Sequence, residues 1–449
     1  MSSTEVPVPF SEPPWLMGLP SPYYNDSHRK WQRTCRDFIG EHLLPHANDW
    51  ENDGEVPDHV FHVFSKHNML IPNLPAPLPI DLLHRMGIHE LLGGLHIEDF
   101  DYFHFAIYIN EMRRAGIGGP ASSLATGMAY GMPPVFTYGS QELQNRILPD
   151  LIRGEKRICI AITEPDAGSD VAQLTTTAVK SECGKFYIVS GEKKCSLINV
   201  RITNGIWSEY ATMAVRTGGP GPNGLSLLVV PLKGTKGVTM RRMKTSGGTT
   251  SGTTFIDLDE VRVPVENLIG KEGAGMKMIT ANFNHERLAI AIGVARSARV
   301  ALSSAFAYVL KREAFGAPLM DQPVVRNRLA RCGADLESLS AWIDQLVYQM
   351  DQLVKKDKAE SNRALGGQMA LVKAKAGLVI DECARCAVLL FGGNGYTRTG
   401  QGELVEKIYR EVPAARIPGG SEDVMLDLAV RQLVKNFQAK TKALGKHKI

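Results

Sequence analysis

The pattern of apolar and polar residues changes twice along the chain. From about Asn25 to Glu155, apolar residues recur three and four positions apart, as in RKWQRTCRDFIGEHLLPHANDW. Clusters of proline or glycine end each of these segments. This spacing is typical of amphipathic helices, so we predict an N-terminal helical domain over residues 25–156.

A different pattern begins near Arg157. Short segments rich in β-branched residues alternate with glycine or proline: RICIAIT, KFYIVSGEKK, YATMAVRTGG, LSLLVVPLKG, GVTMRRMKT and TTFIDLDEVRVP. They predict a central antiparallel β domain over residues 157–270. The G-x-G-x-x-G match at Gly219, Gly221 and Gly224 lies between two of these strands and opens no helix. We therefore interpret it as a hairpin turn and not as a dinucleotide-binding motif.

The helical period returns after residue 270. Residues 275–311 are apolar on nearly every face, which is typical of a helix buried among other helices. The segment EAFGAPLMDQP interrupts the pattern, and two long helices are predicted after it, over about 324–355 and 363–390. The lysine-rich tail from residue 435 is expected to be a solvated, frayed end. The fold class is thus α+β multidomain, with a C-terminal helical domain over 271–441.

Composition excludes some partners and suggests a compartment. The net charge of +4 gives no electrostatic argument for nucleic acid. Uninterrupted apolar runs are shorter than the roughly 20 residues that cross a bilayer, so no membrane is expected. The N-terminus has no Lys or Arg before Arg29, and the final HKI is not a convincing peroxisomal signal. We expect a cytoplasmic protein.

The cysteines predict neither disulfides nor a metal site. Seven cysteines, an odd number in a long chain, suit a reducing compartment. Cys383 and Cys386 form a C-x-x-C inside a helical pattern, with no second pair to complete a zinc site. We interpret both as buried helix residues.

The stretch FNHERLAIAIGVA places Glu286 and Arg287 in an otherwise apolar helix. No cation stands among the residues at helical spacing from Glu286, which are Asn282, Phe283, Ala289 and Ile290. A carboxylate among apolar neighbours is costly unless it is paired or functional. The residues leave two alternatives, a catalytic base or a member of a structural ion-pair network, and we favour the base.

The segment AITEPDAGSD, residues 161–170, is a second candidate site. Its hydroxyls and backbone N–H groups follow a predicted strand, and such groups can bind a phosphate or a ring edge. The alternative is a polar turn with an Asx or Ser cap.

In their order, these segments resemble the acyl-CoA dehydrogenase family of flavoproteins. ITEPDAGSD is similar to the family signature, and the similarity continues through SGEKK, ITNG, DEVRVPVENLIGKEGAG, NHERLAI, KREAFGAPLMDQPVVRNRLA, LFGGNGY and RIPGGSEDVMLDLAVR. Together they span most of residues 25–437. The resemblance implies a C-terminal four-helix bundle, FAD as cofactor and an acyl-CoA or related thioester as substrate. It also implies a homodimer or homotetramer, and an electron-transfer flavoprotein or O2 as electron acceptor.

The resemblance also implies a set of site residues. Thr163 would face the flavin ring, Thr203 would bond near its reactive nitrogen, and Ser169 would meet the pyrophosphate or the substrate. A second subunit's FAD would be reached by Arg312, Phe315 and the backbone at Gly392 and Gly393. The implied cofactor residues are Ile162, Thr163, Ser169, Thr203, Arg312, Phe315, Gln322, Leu389, Gly392, Gly393, Ser421 and Asp423. The implied substrate residues are Ser169, Phe283, Asn284 and Arg287.

The family's reaction removes a proton from the carbon α to the thioester, so it needs a base in a water-poor pocket. In many members this base is a Glu in the segment matching IPGGSEDV, where this chain has Gly419. Members resembling long-chain and isovaleryl-CoA dehydrogenases carry it in an ERL triplet on the buried helix and have Gly or Ala at the other position. This chain has both features, so Glu286 is the predicted base for forming the 2,3-enoyl thioester.

The chain departs from the family pattern at three places. Cys195 stands where the family has a Trp that covers one flank of the flavin, and six further residues follow it. Leu389 and Pro323 stand where a Gln is common, although Gln322 is adjacent. Two other functions therefore stay open. One is a flavin oxidase or N-hydroxylase acting on nitro or amino compounds, and the other is a degenerate, non-catalytic flavoprotein.

Overall fold

The structure, a computed structural model, describes residues 6–193 and 202–446 of the chain. The described residues form two compact units, each with buried apolar clusters of its own. We name them the helical unit, within residues 1–48, 102–118 and 287–449, and the sheet unit, within 49–101 and 119–286. The α, β, α order predicted along the chain is confirmed.

The α-helices begin and end where the sequence provides caps and breaks. Asn25 caps the first helix: its side chain accepts from the His28 backbone N–H at 3.0 Å, and the Asn25 N–H donates to His28 Nδ1 at 3.1 Å. The described helices are α1 (Asp26–His42), α2 (Ala47–Asp53), α3 (Asp58–Lys66), α4 (Ile80–Arg85), α5 (Tyr102–Met112), α6 (Gly119–Thr126), α7 (Pro133–Tyr138), α8 (Gln141–Ile152), α9 (Gly275–Ala281), α10 (Phe283–Lys311), α11 (Pro323–Val354), α12 (Lys358–Phe391), α13 (Glu403–Arg416) and α14 (Glu422–Lys446).

The strands form one large sheet and two short hairpins. They are β1 (Glu90–Leu91), β2 (Leu95–His96), β3 (Ile158–Ala161), β4 (Thr177–Lys180), β5 (Phe186–Lys193), β6 (Tyr210–Arg216), β7 (Leu225–Pro231), β8 (Val238–Arg242), β9 (Thr254–Pro264), β10 (Leu268–Ile269), β11 (Glu313–Ala314) and β12 (Ala317–Pro318). The order in the large sheet is β10-β7-β6-β4-β5-β9-β8, and β3 pairs with β6. β6 and β7 are buried at nearly every position.

All six predicted strand segments form strands, but the sheet is not wholly antiparallel. β3 runs parallel to β6, and β4 meets β6 in one further parallel pair. A parallel pair requires a long connection, which the residues between β3 and β6 supply. β4 was not predicted because TAVK is short and follows a run of threonines without alternation. The GxGxxG segment does lie in the β6–β7 hairpin connection.

The predicted insertion after Cys195 lies outside the described residues, but both of its flanks are described. Lys193 pairs with Ile256 of β9, and Ile202 bridges Thr254 of the same strand. An uninterrupted antiparallel ladder would place a residue only two positions beyond Lys193 opposite Thr254. Ile202 therefore lies opposite Thr254, two positions along β9 from the partner of Lys193, and Thr203 follows a residue that is in register.

The long apolar helix predicted over 275–311 is interrupted once. α9 ends at Ala281, Asn282 caps it, and α10 begins at Phe283. This stretch is the one candidate membrane span among the described residues, and 78% of its apolar window is buried within the protein. Such burial is typical of the core helix of a soluble protein. Because α10 begins after this break, Glu286 lies in the first turn of α10.

The C-terminal helices extend further than predicted. α11 and α12 confirm the two long helices, and α13 and α14 follow them. α14 continues through Lys446, so the expectation of a frayed tail was wrong up to that residue, although the tail is mostly exposed through residue 442. Cys383 and Cys386 are buried, as predicted.

The N-terminal segment before α1 is fixed to the helical unit. The Glu12 carboxylate accepts from Arg36 at 2.9 Å and from Arg296 at 3.0 Å. Tyr24 donates to Asp344 Oδ1 of α11 at 2.7 Å. Burial raises the pKa of Asp344 to about 6, although the bond from Tyr24 and the Arg299 charge oppose this shift.

The raised pKa of Asp344 predicts a pH-dependent stability. The pKa of Asp344 is higher in the fold than in the unfolded chain. The carboxyl therefore contributes most to the stability of the fold below its ordinary pKa, and this contribution is lost as pH rises through about 6. We expect Asp344→Asn to raise the melting temperature at pH 7.5 by about 2 °C and to give no gain at pH 4.5. Thermal melts at both pH values check this. Asp427→Asn, at an exposed position on α14, is the control, and an equal shift in both variants would contradict the prediction.

Candidate functional site

Glu286 lies in a buried, oriented position in the sheet unit. It is 9% exposed, and its Oε1 accepts from Asn282 Nδ2 at 2.9 Å. Asn282 stands four residues earlier, on the turn that separates α9 from α10, and its C=O accepts the Glu286 N–H at 3.1 Å. The uncharged Asn282 amide is thus one of the groups that orient the carboxylate. The carboxylate also lies in the first turn of a helix, where the backbone dipole supports a negative charge.

Asn282 is itself fixed by an irregular turn. Its Nδ2 also donates to the C=O of Ala129 at 3.0 Å, and Ala129 belongs to a π-helical turn, Gly127–Gly131. The Gly131 C=O accepts from Thr212 on β6 at 2.6 Å. A Cβ at Gly127 would stand 2.3 Å from the Ile158 C=O, so only glycine allows this approach. Single π-turns are frequent at functional sites, and this one supports the amide that orients Glu286.

The other predicted substrate residues near Glu286 lie in the same segment of α10. Phe283 is half-buried, whereas Asn284 is 5% and Arg287 6% exposed. His285, which sequence reasoning left out, is buried, and its Nε2 is 3.1 Å from the Asn73 C=O.

Arg287 binds the backbone of the turn between α13 and α14. Its Nε donates to the Gly419 C=O at 3.0 Å. Arg287 was predicted to be a substrate residue. The described bond goes to a backbone carbonyl of the helical unit, a kind of partner that sequence does not reveal.

Lys373 of α12, which sequence reasoning missed, binds the same turn. It is 1% exposed, and its Nζ donates to the C=O groups of Arg416 at 2.5 Å and Gly420 at 2.7 Å. Burial, and next the Arg287 charge, lower the pKa of Lys373 to about 8. Two buried cations thus hold three carbonyls of one turn. The nearest sequence signal was a lysine in an otherwise apolar part of α12.

The Gly419–Gly420 backbone adopts conformations that favour glycine. The φ angles are +74° at Gly419 and +109° at Gly420. A Cβ at Gly419 would stand 2.9 Å from Ile290 Cδ1, and one at Gly420 would stand 2.2 Å from Met425 Cε. In this turn neither the conformation nor the space suits a side chain at position 419.

The predicted cofactor residues of the sheet unit lie in two segments. Ile162 and Thr163 follow β3, with Thr163 8% exposed, and Ser169 lies on the exposed part of the same loop. Thr203 is half-buried between two fixed residues, Asn204 and Ile202, which bridges Thr254 of β9. Asn204 Nδ2 donates to the C=O groups of Ser122 and Ser123 at 3.2 and 3.0 Å. These hydroxyls and strand-end amides suit the edge of a ring or a phosphate.

The predicted cofactor residues of the helical unit are exposed or half-buried. Phe315 is 94% exposed at the tip of the β11–β12 hairpin, with a φ of +56° that is strained for a bulky residue. A Cβ at either Gly392 or Gly393 would meet no atom within 4 Å. Arg312, Leu389 and Asp423 are exposed, and Gln322 and Ser421 are half-buried. An exposed aromatic ring and open glycine backbone suit a surface that another molecule covers.

Comparison with known proteins gives one consistent family. Residues 25–155 match the acyl-CoA dehydrogenase N-terminal domain, 159–261 the middle domain and 273–434 the C-terminal domain. An acyl-CoA dehydrogenase of Emericella nidulans is 64% identical over 442 residues, covering 98% of this chain and 99% of the relative. An acyl-CoA dehydrogenase of Alternaria alternata is 36% identical over 96% of both chains. The crystal structure of a putative acyl-CoA dehydrogenase from Mycobacterium smegmatis, 30% identical, superposes with a TM-score of 0.79 over 92% of this chain and 99% of that one.

The glycine at position 419 allows a test by stability. We expect Gly419→Ala to lower the free energy of unfolding by more than Gly400→Ala. Both have positive φ angles, +74° and +79°, so both incur the strain of about 1–2 kcal/mol for an L-residue there. Only Gly419 adds a close contact, since Gly400 has no atom within 4 Å of its Cβ position. Urea unfolding of the two variants measures the difference, and equal losses would show that the turn accommodates a side chain.

Proposed function

Because this chain belongs to the acyl-CoA dehydrogenase family, we propose that it converts an acyl thioester to the 2,3-enoyl thioester with Glu286 as the base. The family consists of FAD-dependent oxidoreductases that act on the CH–CH group of acyl-CoA. The observation that carries the proposal is the Glu286 carboxylate, buried and oriented by Asn282, in a chain that has glycine at position 419.

The residues present fit FAD. In the sheet unit, Thr163, Ser169 and Thr203 would offer hydroxyls, and Ile162 would offer its backbone, to the ring and the pyrophosphate. In the helical unit, the strained and exposed Phe315 and the open backbone at Gly392 and Gly393 would receive the cofactor of a second copy. These features have a use in a flavoprotein and no evident one in an isolated chain.

The chemistry divides between the base and the cofactor. The bond from hydrogen to the carbon α to the thioester breaks, and its proton passes to the Glu286 carboxylate. FAD, when bound, supplies the acceptor for the hydride that leaves the β carbon, and the C2–C3 double bond forms. Asn282 keeps the carboxylate in one orientation, so the proton transfer needs no prior reorganisation of the side chain. Burial of Glu286 keeps water from competing for the position of the substrate.

Arg287 and Lys373 would act indirectly. Arg287 follows the base in the chain, and its bond to Gly419 fixes it to the α13–α14 turn. Lys373 fixes the same turn from α12. Both are proposed as positioning residues that keep this part of α10 in place. The electrons would pass on to an electron-transfer flavoprotein or to O2.

We also propose that the protein works as a homo-oligomer. Besides Phe315, an apolar stripe on α14 is exposed, formed by Leu426, Val430, Leu433, Val434 and Phe437. These residues recur at helical spacing and so form one face of the helix. An exposed apolar face of this kind is typical of an interface.

Substitution of the base tests the proposed reaction. We expect Glu286→Gln to retain bound FAD but to slow anaerobic bleaching by a panel of acyl-CoAs by about 10²- to 10⁴-fold, because the amide cannot accept the proton. Stopped-flow absorbance at the visible flavin maximum measures the rate. Glu142→Gln is the matched control, since Glu142 is an exposed carboxylate in the first turn of α8.

Two outcomes would contradict the proposal. Equal rates in wild type and Glu286→Gln would assign Glu286 to structure and require another base. A wild type that keeps its FAD but is bleached by no thioester would favour the alternatives, and rapid reoxidation by O2 after reduction by an amine or a nitronate would then favour the oxidase.

Substitution of the hairpin aromatic tests the oligomer. We expect Phe315→Asn to weaken self-association and to release FAD faster, because the ring is lost while asparagine tolerates the positive φ. Light scattering after gel filtration gives the mass, and flavin fluorescence gives the release rate. Val179→Asn, at an exposed position on β4, should change neither. A Phe315→Asn variant with unchanged mass and unchanged FAD release would refute the role of this hairpin.

A further inference from the structure

A buried ion pair lies at the start of the strand-end loop. Lys193, at the end of β5, is 0% exposed, and the Glu164 side chain is 1% exposed. Lys193 Nζ is 2.6 Å from Glu164 Oε1. Neither residue belongs to the site predicted from the sequence. Both, however, stand within conspicuous motifs, Glu164 in TEPD and Lys193 in GEKK.

The pair joins three segments of the sheet unit. Glu164 Oε2 accepts from the Thr175 backbone N–H at 2.5 Å and from its hydroxyl at 2.8 Å, and Oε1 accepts from the Thr176 N–H at 3.0 Å. Lys193 Nζ also donates to the Ile162 C=O at 3.2 Å. The loop after β3, the residues before β4 and the end of β5 are therefore tied at one point.

The position of the pair relates it to the cofactor residues. Ile162 accepts directly from Lys193, and Thr163 lies between Ile162 and Glu164 in the chain. On the other side, Lys193 pairs with Ile256 of β9, two residues from Thr254, which bridges Ile202, the neighbour of Thr203. The two groups of candidate flavin contacts in the sheet unit thus flank the same ion pair.

Stability alone gives little reason for such a pair. Two charges removed from water lose their hydration, and well-packed apolar residues of similar volume are often equally or more stabilising. The pair instead fixes local geometry. Its hydrogen bonds orient the backbone carbonyl of Ile162 and the backbone amides of Thr175 and Thr176.

We propose that Lys193 and Glu164 are positioning residues that hold the two flavin-contacting segments of the sheet unit in the geometry that FAD requires. The proposal rests on FAD as the cofactor of the family. It does not depend on the reaction assigned to Glu286.

The pair should respond to pH. Burial lowers the pKa of Lys193 to about 8, and the Lys193 charge lowers the pKa of Glu164 against the opposing effect of burial, so both are charged near pH 7. Glu164 is the charged group that faces Lys193. Ile256 opposite it on β9 and Thr176 before β4 are uncharged. As pH rises through about 8, Lys193 loses its proton first, and the attraction is lost.

The test compares FAD binding with fold stability in the full-length holoprotein. We expect Lys193→Met to raise the Kd for FAD at least about tenfold, or ~1.4 kcal/mol, and to shift the visible flavin spectrum. The Lys193→Met/Glu164→Leu double variant should recover thermal stability, because no uncompensated charge is left, yet keep the weakened FAD binding. Lys185→Met, at an exposed position just before β5, should match wild type in its Kd for FAD and in its thermal stability.

The Kd of wild type for FAD should rise between pH 7 and pH 9, and that of the double variant should not.

The double variant decides the matter even if Lys193→Met alone fails to fold. If it recovers wild-type FAD affinity and spectrum together with its stability, the pair is structural only and the proposal is overturned. A pH-independent wild-type Kd would also overturn it. A wild type that holds FAD normally but is not bleached by acyl-CoA would refute the proposed reaction and leave this inference intact.

Discussion

The hydrogen bond from Asn282 to Glu286 is the interaction on which the proposed chemistry depends. An amide N–H that donates to a carboxylate oxygen fixes the orientation of that carboxylate. The bond exists because the helix breaks at Asn282 and because the π-helical turn presents the Ala129 carbonyl to the same amide. Gly127, which allows the close approach to the Ile158 carbonyl, is therefore as necessary to the arrangement as Asn282 itself.

The α13–α14 turn imposes a second constraint, on which residue can stand at position 419. Its backbone favours glycine at two successive positions, and two buried cations bind its carbonyls. At position 419 this chain has a turn whose main-chain carbonyls are bound by Arg287 and Lys373. A side chain at position 419 would have to displace this turn, which its backbone conformation and the Ile290 side chain oppose.

The sequence predicted the order of elements and the unusual character of Glu286, because both follow from local periodicity and from the absence of a cation at helical spacing. It did not predict what Arg287 and Lys373 bind, since their partners are backbone carbonyls distant in the chain. Asn282 was recognised as a neighbour of Glu286, but its second bond, to Ala129, depends on tertiary structure. β4 was missed because four residues without alternation carry little signal, and the parallel pairing of β3 depends on sheet topology rather than on composition.

The register of Lys193 and Ile202 against β9 has a consequence for the length of the chain between them. Lys193 and Ile202 lie opposite Ile256 and Thr254, so the register of both residues is set by β9 and not by the number of residues between them. Each doubling of the length of a flexible connection costs only about 0.6 kcal/mol of closure entropy. A change in the number of residues between Lys193 and Ile202 would therefore be expected to leave Thr203 in its place beside β9.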